Sequence, residues 1–207
     1  MNQQLWWHVA RAGGIVAWVL LALSVGWGLL LSTRLLGRRA APAWLTDLHR
    51  FLGALALVFT VVHVAGLVAD SYVHFGWSEL FVPYASEWKP GAVAWGIVAL
   101  YLLLAVELTS LVMRRIPRKW WKGVHLSSFG LFFAASVHGA TAGSDATNLI
   151  YRATSAAMIA GVLFLTLVRI LADSPRARRT AQRSAGGRVV SARSEPTGDL
   201  VGDGSPR

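Results

Sequence analysis

Four histidines carry the chemistry this sequence can do. His49 and His63 lie fourteen residues apart in the apolar stretch LTDLHRFLGALALVFTVVHVAGLVAD, and His125 and His138 thirteen apart in KGVHLSSFGLFFAASVHGATAG. On a helix, fourteen residues at about 1.5 Å each raise the second imidazole roughly 21 Å above the first, and about 100° per residue returns it to within roughly 40° of the same face. One helix therefore presents two imidazoles at two depths. Two such helices offer nitrogen donors in two tiers, an arrangement suited to two iron centres stacked across a membrane, each gripped between two helices.

The composition narrows the setting. Hydrophobic residues make up 55% of the 207, charged residues 14%, and the mean hydropathy is +0.49, all pointing away from a soluble domain. The absence of cysteine excludes disulfides, iron–sulfur clusters and thiolate zinc sites, so any metal must be held through histidine, carboxylate or a macrocycle. A net charge of +10 raises the question of nucleic acid, but the basic residues sit in loops and a tail rather than on one folded face. No nucleic-acid partner is expected.

The elements that must position the histidines are apolar helices. A short polar lead, 1–13, precedes a first span over about Gly14–Ser32; further spans are expected over about Leu48–Ala69, Gly91–Met113, Gly123–Ala142 and Leu149–Leu171. Ala41-Pro42-Ala43 looks like a signal-peptidase site, but Arg34, Arg38 and Arg39 after the first apolar run and an uncharged N-terminus oppose cleavage. Residues 70–90 hold Tyr72, His74, Phe75, Trp77, Phe81, Tyr84 and Trp88, an aromatic belt for the membrane–water boundary. The fold expected is an all-α polytopic membrane bundle of about five spans over 1–172. A basic tail, 173–207, rich in Ser, Gly, Pro and Arg, is expected to be disordered and is too short for a flavin or nicotinamide domain.

Charge fixes the expected orientation. All but three of the 20 lysines and arginines fall between spans 1 and 2, between 3 and 4, or at and after the end of span 5. The exceptions are Arg11, Lys89 and Arg152, on the side that also holds Asp70, Glu79, Glu87 and Asp145. The positive-inside rule then places the N-terminus outside and the C-terminus in the cytoplasm of a multi-pass protein of the plasma membrane. Spans 2 and 4 run parallel, so His49 shares its depth with His125 and His63 with His138.

A single histidine in an apolar helix is commonly a packed residue bonded to a carbonyl. Four in two matched pairs on parallel helices are hard to assign to packing, since ionisable groups are expensive at membrane depth. One detail resists the simple picture: thirteen steps leave His138 about 140° from the face of His125 on an ideal helix. Either the macrocycles approach span 4 from different sides, or the helix is overwound near Ser127, Ser128 and Gly130, or it is tilted.

The paired spacings H-x13-H and H-x12-H on alternate spans resemble the transmembrane haem domain of ferric reductases, NADPH oxidases and, less completely, the haem subunit of the periplasmic methionine sulfoxide reductase system. The likeness covers about 47–171. It implies that His49, His63, His125 and His138 are axial ligands of two b-type haems, His49 with His125 and His63 with His138. The oxidases and eukaryotic ferric reductases usually carry six spans and a fused flavin–nicotinamide domain; here five spans are counted with nothing beyond. Electrons would then come from a separate cytosolic flavoprotein reductase, a bound flavin or a quinol, and leave to an external acceptor.

Around the ligands, Arg50, Arg114, Arg115 and Lys122 could neutralise propionates of the cytoplasmic haem and Arg152 those of the outer one, although orientation signals account for most of these residues. Glu107 within span 3 is either a hydrogen-bond or proton partner of the ligands or a carboxylate reaching Arg114. His74 could help hold an acceptor, and His8 lies outside the spans; the arginine tail could touch anionic lipid. The competing function is a histidine-lined permease or metal or proton carrier without haem. Rings paired across a gap wide enough for a macrocycle would favour the conduit, and a wet polar track the carrier.

Overall fold

The structure is a computed structural model that describes residues 3–33, 42–70, 75–145 and 147–172. The described residues form helices and turns: α1 (Gln3–Thr33), α2 (Ala43–Ala69), α3 (Trp77–Phe81), α4 (Pro90–Leu111), α5 (Arg118–Leu126), α6 (Ser128–Ala142) and α7 (Leu149–Ala172). Arg34, Arg38, Arg39, Tyr72, His74 and the basic tail 173–207 lie outside the described residues. Residues 1–166 form one unit, which contains all four histidines; a second begins at Leu167 and is described only through the end of α7.

Among the described residues, four helices are long and apolar enough to cross a membrane: Leu5–Thr33, Ala43–Ala69, Pro90–Leu111 and Leu149–Leu171, with mean hydropathies between 2.0 and 2.4. Their surfaces fit lipid, since large apolar side chains such as Phe51, Val61, Leu108 and Phe164 stay exposed. Polar side chains inside the spans are satisfied locally: Thr60, Thr109, Ser136 and Thr166 each donate to a carbonyl four residues back.

Two expected boundaries are corrected. The polar lead is not separate from span 1, because α1 is continuous from Gln3 and carries Trp6, Trp7 and His8. Gly13 and Gly14 read as a helix boundary in sequence, but a Cβ on Gly13 would lie 3.0 Å from the backbone nitrogen of His63. They are there so that α1 can approach α2.

The expected fourth span is two helices of 9 and 15 residues, and neither alone has the length of a span. The break is at Ser127, whose N–H bonds Val124 O at 3.0 Å in a tight i to i−3 turn while its Oγ donates to the same carbonyl at 2.6 Å. Such a turn adds rotation in the sense that brings His138 back towards the face of His125. The turn lies at Ser127, where the overwinding alternative expected it.

In the bundle, α1 packs on α2, α2 on α4, α4 on α6 and α6 on α1, which leaves α2 and α6 at opposite corners. The apolar core lies at mid-length: Leu21, Val25 and Leu29 from α1, Ala56 from α2, Leu103 from α4, Leu131, Phe132 and Ala134 from α6, and Val162 from α7. Ala56 is midway between His49 and His63, and Leu131 between His125 and His138. An apolar plug therefore lies between the two histidine levels.

Candidate functional site

The diagonal helices bring the histidines together in the pairs the spacing suggests. His49 and His125 have ring centroids 5.9 Å apart, and His63 and His138 6.2 Å apart, with the rings at 76° in both pairs. No side chain of a neighbouring helix is needed to explain why they face one another: α2 and the α5–α6 segment each present one edge to the centre of the bundle, at two levels.

Three of the four imidazoles are anchored from behind. His63 Nδ1 lies 2.6 Å from the carbonyl oxygen of Ala10, His138 Nδ1 2.8 Å from that of Ala92, and His49 Nδ1 3.0 Å from that of Ser24 with Ser24 Oγ at 3.3 Å. A carbonyl can only accept, so each of these nitrogens carries the hydrogen and donates it. In the neutral ring Nε2 is then an unprotonated donor of a lone pair. The fourth ring differs. His125 Nδ1 is buried with no hydrogen-bond partner among the described residues, as is the Nε1 of Trp121, whose ring stacks on His125 at 5.1 Å.

These residues fit a bis-imidazole iron centre. Two Nε2 atoms in line on one metal, with metal–nitrogen bonds of about 2.0 Å, would put the ring centroids about 6.3 Å apart, close to the 5.9 and 6.2 Å found. No group of three or more His, Cys, Asp or Glu side chains able to hold a bare ion occurs among the described residues. Ligands in twos suit an iron whose other positions are filled by a macrocycle.

At the His63 level the rings open into a cavity lined by Trp7, Trp18, Leu67, Leu80 and Ala135, with Arg11, Glu79, Asp145 and Tyr151 also in its wall. Arg11 forms an ion pair with Asp145, tying α1 to the segment between α6 and α7. Glu79 is half-buried; its own backbone N–H and the Ser78 hydroxyl hold its carboxyl below the usual carboxylate range. Largely apolar walls with a few charged side chains among them match the amphipathic character of a haem.

The other candidates are distributed differently. Arg50 and Arg152 are both exposed, and Arg152 does not line the cavity, whereas Arg11 does. Glu107 forms no ion pair among the described residues, Arg114 included; its Oε1 lies where a Cβ on Gly53 would be, at 2.5 Å, one helical turn from His49. His8 is exposed on α1. Reading the sequence alone missed Arg11 and Asp145, because 134 residues separate them and nothing local marks the pair. It also missed the three carbonyl anchors, which belong to the backbone and leave no side-chain signature.

A protein-family model described as "Ferric reductase like transmembrane component" matches residues 13–137, a range that runs from the Gly13-Gly14 approach to the residue before His138. No curated protein and no solved structure matches the chain.

Proposed function

Because the chain belongs to the ferric reductase like transmembrane component family, we propose that it is an electron-transfer subunit in which His49 with His125 and His63 with His138 hold two b-type haems. The observation that carries this reading is the pair of facing imidazoles at 5.9 and 6.2 Å, repeated at two levels. When bound, each haem supplies reversible one-electron iron chemistry, and bis-histidine ligation keeps small molecules off the iron so that an acceptor is reduced without binding to it.

The protein's own part is to hold and insulate. The carbonyls of Ala10, Ser24 and Ala92 fix the tautomer in which Nε2 faces the centre. The core around Ala56, Leu103 and Leu131 keeps water from the space between the levels. Arg11, which lines the cavity as Arg152 does not, is the cation nearest to where propionates would lie at the His63 level. At the His49 level Arg50 remains the candidate.

In this reading α5 and α6 cross the membrane together as the fifth span, their 9 and 15 residues continuing through the turn at Ser127. The excess of lysine and arginine between α1 and α2, between α4 and α5, and after α7 puts these connections in the cytoplasm, the N-terminus outside, and the His63 level on the outer side of the plasma membrane. Electrons enter at the His49 level from a cytosolic flavoprotein reductase, a bound flavin or a quinol, and leave at the His63 level to an external acceptor. Ferric iron is the acceptor class that the family description suggests.

The test is the haem-to-protein ratio of the purified protein together with its reduced-minus-oxidised spectrum. Two haems per chain with a low-spin bis-histidine spectrum are expected. A colourless protein expressed with ample haem supply overturns the proposal.

A further inference from the structure

Three glycines stand where the anchored imidazoles meet their neighbouring helices. A Cβ on Gly14 would lie 2.9 Å from His63 Nδ1, one on Gly28 would lie 3.1 Å from His49 Cε1, and one on Gly96 would lie 2.8 Å from His138 Nδ1. Each glycine follows, by four residues, the residue whose carbonyl takes the imidazole hydrogen: Ala10 before Gly14, Ser24 before Gly28, Ala92 before Gly96.

The spacing has a physical reason. In an α-helix the Cα–Cβ bond tilts towards the N-terminus, so a side chain at position i+4 covers the turn that holds the carbonyl of residue i. That carbonyl already accepts the N–H of residue i+4 and keeps a second lone pair. Removing the Cβ at i+4 uncovers this lone pair and leaves a notch as wide as an imidazole edge.

The fourth histidine serves as the internal comparison. On α1 the two notches are fourteen residues apart, matching His49 and His63 on antiparallel α2. On α4 the position fourteen residues beyond Gly96 is Ser110, which has a side chain. The ring at that level, His125, has no partner on Nδ1 and is covered by Trp121 instead. Where the glycine is missing, the anchor is missing.

We infer that Gly14, Gly28 and Gly96 are positioning residues that open the Ala10, Ser24 and Ala92 carbonyls to His63, His49 and His138 and so aim each Nε2 at its iron, while His125 is left unanchored. The inference rests on the haem reading above. It assigns α1 a second role beyond packing, as the helix that orients one ligand at each level.

The experiment substitutes Gly14→Ala, Gly28→Ala and Gly96→Ala in the full chain, with Gly161→Ala, where a Cβ meets nothing within 4 Å, as control. Haem stoichiometry, low-temperature EPR and midpoint potentials are read for each haem. Alanine favours a helix over glycine by about 0.5–1 kcal/mol, so a glycine with open space around it, such as Gly161, would lose nothing. The expected result is a loss of roughly 10–100-fold in haem affinity, or a more positive potential and an altered EPR signal, at one level only: the His63–His138 level for Gly14→Ala and Gly96→Ala, the His49–His125 level for Gly28→Ala. Gly161→Ala leaves both haems unchanged.

If a variant fails to accumulate, the wild type answers the same question. Pulsed EPR of the ferric protein with 15N-labelled histidine is expected to show three Nδ1 atoms with strongly hydrogen-bonded protons and one without; four alike overturns the inference. Glycine variants with two haems, unshifted potentials and unshifted spectra also overturn it, while a wild type with two haems still upholds the reading it rests on. A wild type that takes up no haem removes that reading and the inference together.

Discussion

The indole of Trp18 on α1 stacks on the ring of Phe132 on α6, centroids 5.9 Å apart and planes 21° from parallel, between the two histidine levels. The same indole donates its N–H to Ser136 Oγ at 3.0 Å. This contact closes the bundle at its middle, beside Leu21, Val25 and Leu131. The His49 level and the His63 level are thereby two sites with a packed wall between them, and each can be disturbed without the other.

Independence of the levels is open to direct test. His63→Ala is expected to reduce the haem content from two per chain to one, with the remaining haem showing an unchanged bis-histidine spectrum, and His125→Ala to do the same at the other level. A pyridine haemochrome assay against protein concentration, with spectra of both variants, checks this. Loss of both haems in either variant would contradict a packed wall; loss of neither would contradict ligation.

The Trp18 hydrogen bond can be separated from its stack. Trp18→Phe keeps an aromatic ring against Phe132 and removes the donor to Ser136, and hydrogen bonds between helices in membranes average about 0.6 kcal/mol, reaching about 1.7 at most. The variant is therefore expected to lose about that much stability, whereas Trp18→Ala loses the stack as well and should lose more. Unfolding in mixed micelles with increasing denaturing detergent reads both. Equal losses would mean that the ring contributes nothing beyond its N–H.

With haems bound as proposed, hydrogen bonding behind the imidazoles would also order the two potentials. A donor bond from Nδ1 makes Nε2 a more basic ligand and favours ferric iron. Both rings of the His63 level have such a bond, at 2.6 and 2.8 Å, while at the His49 level only His49 does. The more negative midpoint potential is expected at the His63 level, and each tenfold bias towards the ferric form is worth about 59 mV for one electron. Potentiometric titration of the wild type and of His63→Ala checks the assignment: the more negative wave should disappear from the variant. In the proposed orientation this difference opposes outward transfer, and the membrane potential, at about 2.3 kcal/mol per 100 mV, favours it.

The sequence made the histidine tiers legible because two physical regularities act together there. The 3.6-residue period fixes which residues share a face, and the cost of an imidazole in lipid makes each one conspicuous. Helix existence was readable for the same reason, apolar length. What was not readable depends on contacts between segments far apart. Gly13-Gly14 resembles a helix boundary locally and is a point of helix approach in the fold. The break at Ser127 turns on a single i to i−3 bond that a hydropathy profile averages away. Arg11 looked like an exception to the charge rule, and its place in the cavity wall follows only from the return of Asp145 to meet it. The carbonyl anchors were invisible because every residue has a carbonyl, although a glycine stands four residues after each of the three in use.

Two glycines on α2 separate rigid from yielding contacts. A Cβ on Gly66 would lie 2.7 Å from the backbone nitrogen of Ala10 and 2.9 Å from its Cα, so Gly66→Ala forces α1 and α2 apart. Backbone cannot swing aside, and overpacking of this kind costs about 1–3 kcal/mol. It also moves the Ala10 carbonyl away from His63, so haem loss at the His63 level should accompany the loss of stability. The three atoms nearest to a Cβ on Gly53 all belong to the Glu107 carboxyl, Oε1 closest at 2.5 Å, the far end of a flexible side chain with no ion-pair partner among the described residues. Glu107 can rotate away, and the gain in helix propensity of about 0.5–1 kcal/mol offsets the rearrangement, so Gly53→Ala is expected to be neutral or slightly stabilising. Thermal denaturation with haem absorbance as the readout distinguishes the two. Equal effects would mean that α1 and α2 are not in backbone contact at Gly66, and the close approach that brings the Ala10 carbonyl to His63 would fall with it.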